Sequence, residues 1–177
     1  MRKWILRLLL GYAFLLTNCS NDKTAITMER PIDKQKRDKM VSKYDLLKFP
    51  NIKSPVLFTI DEFFDGNNDE ASIAPNLNKK PNIGEYCRIL KDLSKRPKVI
   101  DAFVEIKEVM IYDKGQLHDN EWFYTDIVYF VGDLTKEEVR EATKSLLPDD
   151  VEYDIENRSG LLSQKYKGKK VVYVWWD

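Results

Sequence analysis

The sequence predicts an α+β domain of the ferredoxin-like, split βαβ type: an antiparallel sheet with two helices on one face. Two observations lead there. Residues 83–93 and 135–147 place apolar side chains at three- and four-residue steps, the period of a helix with one buried face. Around them stand four shorter runs rich in β-branched and aromatic residues, so the elements follow the order strand, helix, strand, strand, helix, strand.

The first strand is Val56-Leu57-Phe58-Thr59, entered from Pro55 and followed by a brief helical turn over 61–64 that ends at Gly66. Residues 67–82 read as a loop, marked by Asn67, Asn68, Pro75, Asn76 and Pro81. In the first helix Ile83, Tyr86, Cys87, Leu90 and Leu93 share a face, and Pro97 stops it. Residues 99–111 alternate, with Ile100, Ala102, Val104 and Ile106 on one side and Asp101, Glu105 and Lys107 on the other, as in a half-buried strand. A polar connection through Lys114, Gly115 and Asn120 leads to the third strand, 122–131. Thr135 and Glu138 have capping-box spacing, and Val139, Ala142, Thr143, Leu146 and Leu147 continue at helical steps as far as Pro148. The last strand is 171–176, and the whole domain spans 49–177.

The start of the chain has a different chemistry. Arg2, Lys3 and Arg7 precede an apolar run over residues 8–16, too short to span a bilayer, which needs roughly 20 residues. Leu16-Thr17-Asn18-Cys19 follows, and it resembles the lipobox of bacterial lipoproteins. The resemblance implies a signal peptide over 1–18 and a lipid on Cys19 as the mature N-terminus. Asn18 stands where that family has a small residue. Residues 19–48 then read as the lipidated end and a flexible, charge-rich tether, with at most a short helix between Pro31 and Tyr44. The expected place is the cell membrane, on the outer-membrane or periplasmic side of the envelope.

The chain holds 29 basic and 29 acidic residues. Removing 1–18 takes away three of the basic ones and leaves 26 against 29, a net charge of −3. That balance offers nothing to a nucleic acid. Cys87 is then the sole cysteine besides an acylated Cys19, so no intramolecular disulfide is expected.

Among candidate sites, His118 stands alone in a polar loop, and Cys87 lies on an apolar helix face, so neither suggests a nucleophile-base pair. Asp65, Asn67 and Asp69 place oxygens at alternate positions, as in the first half of a calcium loop. Glu70 and Asn76 break the EF-hand pattern, so any metal site here would be looser in form. The aromatics are the least ordinary feature: Trp122 and Tyr124 beside Asp126, and Trp175 and Trp176 at the end of the last strand. Strand neighbours face opposite ways, so one of Trp175 and Trp176 must point away from the helices, next to acidic groups. Exposed Trp and Tyr of this kind suit a protein-binding surface.

Pro55-Val56, Phe63-Phe64-Asp65-Gly66-Asn67-Asn68-Asp69, Trp122 through Asp126-Ile127-Val128-Tyr129, and Trp175-Trp176-Asp177 together resemble a small group of uncharacterised bacterial proteins, over most of residues 55–177. The resemblance implies one domain and brings no activity with it. The expectation is therefore a membrane-anchored lipoprotein without a cofactor or enzymatic activity, whose domain binds another protein, an immunity protein against a toxin being one form. The alternative is a ligand- or calcium-binding envelope domain using residues 61–70.

Overall fold

The computed structural model describes residues 31–52, 55–112, 115–155, 160 and 162–177. The Cys19 and signal-peptide expectations lie outside them. In chain order the elements are α1 (Lys34–Tyr44), β1 (Val56–Thr59), α2 (Ile60–Phe64), α3 (Ile83–Ser94), β2 (Val99–Ile106), β3 (Ile111–Tyr112), β4 (Gln116–Leu117), β5 (Ile127–Gly132), α4 (Lys136–Thr143), β6 (Asp150–Tyr153), the one-turn α5 (Leu162–Lys165) and β7 (Lys170–Trp175). Short 3-10 turns follow α1 at Leu46–Lys48 and α4 at Lys144–Leu146.

The helix starts are written into the sequence. Thr59 and Thr135 each accept from the backbone N–H three residues on, while Glu62 and Glu138 return the bond, giving a capping box at α2 and another at α4. Asn82 caps α3 and Asp33 caps α1 in the same way, each accepting from the third residue beyond it.

An antiparallel sheet of five strands, in the order β1-β2-β5-β7-β6, forms the centre, and β3 and β4 make a separate small hairpin. The mixed α+β class is as expected, but the ferredoxin-like topology is not what the pairings show. In that fold each helix crossing joins two parallel strands with a third strand between them, whereas here β1 and β2, and likewise β5 and β7, are direct antiparallel neighbours. The reason lies in how often the chain travels along the sheet. After β1, the loop following α2 runs to the far end, where Ile73 bridges Thr125, and α3 then makes the return trip to Val99. After β5, α4 runs back and β6 makes the second trip. The added passages bring β2 in antiparallel to β1 and β7 in antiparallel to β5.

Residues 31–48 are not a tether. Leu46 is fully buried and Ile32 nearly so, and the Tyr44 ring lies 4.7 Å from that of Phe58. Arg37, 4% exposed, donates to the carbonyls of His118 (2.5 Å) and Glu121 (3.1 Å), joining α1 to the loop after β4. Gly66 receives the start of α1: the Asp33 N–H donates to its carbonyl, and a Cβ there would lie 2.7 Å from that of Asp33. Sequence periodicity marks this helix weakly because its inward face is short: Met40, Val41 and Tyr44 are only partly buried, and its one buried side chain is an arginine.

The main core fills one sheet face. Phe58, Val104, Val128, Phe130, Val172 and Val174 point into it from the strands, against Phe63, Tyr86, Leu90, Leu93 and Val139 from the helices. The other face carries a smaller cluster in which Phe103, Tyr129 and Tyr173 form one cross-strand row. Leu162 and Tyr166, from the segment around α5, pack over part of it. Glu105 lies among these residues, 8% exposed, accepting from the Tyr129 hydroxyl (2.7 Å) and the Lys107 ammonium (2.9 Å). At the outer edge of β6, Arg140 of α4 donates to the Val151 carbonyl (2.9 Å) and Lys136 binds Glu152 (2.8 Å).

Candidate functional site

The alternation of β7 separates the two terminal tryptophans. Trp176 is fully buried in the main core, its ring centroid 5.6 Å from that of Tyr86. Its indole N–H donates to the Leu146 carbonyl at 2.9 Å, and the Tyr86 hydroxyl donates to the same oxygen at 3.3 Å. That oxygen sits where the chain turns left-handed at Leu147, so its free lone pairs face inward rather than along a helix. With Trp176 pinned on the helix side, Trp175 is turned to the other face, where it is half-buried beside the smaller cluster.

Acidic groups gather round Trp175. The Asp126 carboxyl lies near its indole, which favours the charged form of that carboxyl. The Trp176 N–H donates to the Asp126 carbonyl at 2.9 Å, which fixes this loop against the end of β7. Asp150 stands directly across from Trp175 on β6, and its carboxylate accepts from the Tyr173 hydroxyl at 3.1 Å. The Asp149 N–H donates to the Trp175 carbonyl (3.0 Å), while its carboxylate accepts from the Asp177 N–H (2.8 Å). Glu105 lies two strands away on the same face, with Lys107 as its cation. Burial pushes the Asp126 carboxyl above the usual carboxylate range, while Lys107 and the Trp175 indole pull it back. One of its oxygens, Oδ1, is buried without a donor among the described residues. The chemistry available here is recognition: a flat indole edged by carboxylates, at the open end of a sheet.

Of the predicted binding residues, the fold brings together Asp126 and Trp175 only. Trp176 and Trp122 are core residues at 0% and 2% exposed. Trp122 to Thr125 precede β5 rather than belonging to it, because the Trp122 N–H is taken by the Asp69 carboxylate (2.9 Å) and Tyr124 makes only an isolated bridge with Glu108. Tyr124 is half-buried, and burial pushes its phenol up to about 12.

The residues of the calcium-loop expectation are each engaged within the protein. The Asp65 carboxylate turns out to an ion pair with Lys36 (2.6 Å), whereas Asn67 is buried and shares hydrogen bonds with Ser72. Asp69 accepts from the N–H groups of Ala71 (2.8 Å) and Trp122. The three side chains brace the loop through different partners. Among the described residues no group of three or more His, Cys, Asp or Glu side chains is placed to hold a metal ion. Cys87 is half-buried with its thiol pushed up by burial, and the His118 side chain is mostly exposed.

Sequence reasoning missed Asp149 and Asp150 as neighbours of Trp175. The signal that could have found them is the pairing of a short Asp-Val-Glu-Tyr strand with β7, which only the fold reveals. No curated protein and no solved structure matches the chain. The model of one family, described as the uncharacterized protein YfbO family, matches residues 35–168, a span that takes in all of α1 but its first residue and ends before β7.

Proposed function

Starting from a chain that belongs to the YfbO family, we propose that it is a lipid-anchored, non-enzymatic binding module of the bacterial envelope. Its contact surface is the end of the sheet at Trp175. The observation that carries this reading is the split of the two tryptophans. One is locked into the core by its indole N–H, and the other is held out among carboxylates on the sheet face opposite the main core. A half-buried Trp in a polar rim is the composition of an interface hot spot. The anchor rests on the lipobox-like Leu16-Thr17-Asn18-Cys19, and neutralising a toxin delivered to the envelope is one role such a module can fill.

Two measurements test the two halves. Intact-mass analysis of the membrane fraction should give a species beginning at Cys19 with acyl mass, absent in Cys19→Ala; an unmodified full-length chain in both would remove the anchor. A photo-crosslinking residue placed at 175 should capture a discrete partner in cells, while the same residue at Ile155, 86% exposed, should not. Equal labelling from both positions would sink the contact surface.

A further inference from the structure

The charge around Trp175 goes further than a generic protein contact. Asp126, Asp149, Asp150 and Asp177 all touch or directly oppose the end of β7, Glu105 stands two strands away, and Lys107 is the cation that the fold pairs with Glu105. Asp149 and Asp177 are exposed, and the Asp149 carboxylate holds the backbone N–H of Asp177 at this rim. The sheet face at this end is therefore aromatic at its centre and negative at its edge.

We propose that the partner presents a cationic segment here, with an Arg or Lys side chain laid over the Trp175 indole and its charge set against the surrounding carboxylates. The proposal rests on the reading of this corner as a contact surface and gives the partner its chemistry. Charge decides among occupants. A second copy would bring the same carboxylates face to face, and an anionic phospholipid surface would repel them, whereas a guanidinium or ammonium gains from both the indole face and the acidic rim. The partly desolvated Asp126 adds to this, because a cation drawn close to a carboxylate that lacks a full set of donors lowers the cost of keeping it ionised.

The test is a titration of the full chain with a short peptide alternating Arg and Gly, against the same peptide with Gln at each Arg. The indole N–H resonances report it, with that of Trp175 identified by its loss in Trp175→Phe. The expected result is a shift of the Trp175 resonance by the Arg peptide alone, weakening as salt is raised toward about 0.5 M. Asp126→Asn combined with Asp149→Asn should lower the affinity roughly five- to tenfold while the other indole resonances stay in place. Equal binding of the Gln peptide, shifts confined to other parts of the molecule, or undiminished binding by the double variant would each overturn the proposal. Crosslinking from position 175 separates this from failure of the underlying reading. A captured partner whose contact segment lacks basic residues, or a captured second copy, defeats the cationic assignment and leaves a protein contact at Trp175 intact; no capture there removes the contact itself.

Discussion

Asp126 is the residue where stability and recognition pull apart. Burial raises its carboxyl, so the folded state takes up a proton more readily than the unfolded chain. The stability tied to this group is full when the carboxyl is protonated and is lost as pH rises through its folded-state value. Asp126→Asn removes that loss. It should raise stability at neutral pH by up to about 1 kcal/mol, at the low end of the cost of an unsatisfied buried acceptor. The gain should vanish as pH falls through the carboxylate range, which urea melts at a series of pH values would show. The two tryptophans should differ as sharply. Trp176→Ala removes a fully buried ring and its bond to Leu146, an expected loss of about 3–5 kcal/mol, while Trp175→Ala should cost well under half as much, both read by urea denaturation. Their opposite facing was legible from strand alternation alone. Which one faces inward was not, because that depends on Leu146, thirty residues back in the chain.

At the scale of elements, the sequence spoke clearly for α3 and α4, whose apolar stripes are strong. Asn82 and Thr135 start α3 and α4 as their side chains require, and β1 falls on the expected residues. Strand β6 was silent because two of its four residues are acidic and one edge of it is finished by α4 side chains rather than by another strand. The expected alternation of 99–106 breaks at its start: the register shifts between Val99 and Asp101, leaving Ile100 half-exposed, and Gly132 admits the Lys98 carbonyl into the space a Cβ would fill. The cap of α4 also makes a prediction. Its Glu138, bonded to Lys98 and to the Thr135 backbone, is held down at about 2. A depressed carboxylate contributes stability that is present above its ordinary value and lost as pH falls toward the folded one. The stability difference between the native chain and Glu138→Gln should therefore be constant at neutral pH and shrink between about pH 5 and 2 in thermal melts.

For the whole molecule, the packing of residues 31–48 onto the domain is the strongest departure from the sequence reading. Periodicity put the domain start at 49, but α1 enters through a buried arginine whose partners are two backbone carbonyls more than eighty residues away, and no local pattern announces such a contact. A chain beginning at residue 49 should lose Ile32, Arg37 and Leu46 together and expose Phe58. It should melt without a cooperative transition, while one beginning at 31 keeps the native midpoint. Topology was hidden for a related reason: the loop over 65–82 looks like filler, yet it is the outward passage that lets β2 enter antiparallel beside β1.

The side chains resting on β6 carry one more implication. The outermost strand of a sheet offers a row of backbone groups to any strand that comes close. Here the Val151 carbonyl is already bonded to Arg140, and Lys136 lies against Glu152. Crowded copies of the domain find a charged border in place of a template, which favours a surface of separate molecules over growth into ribbons.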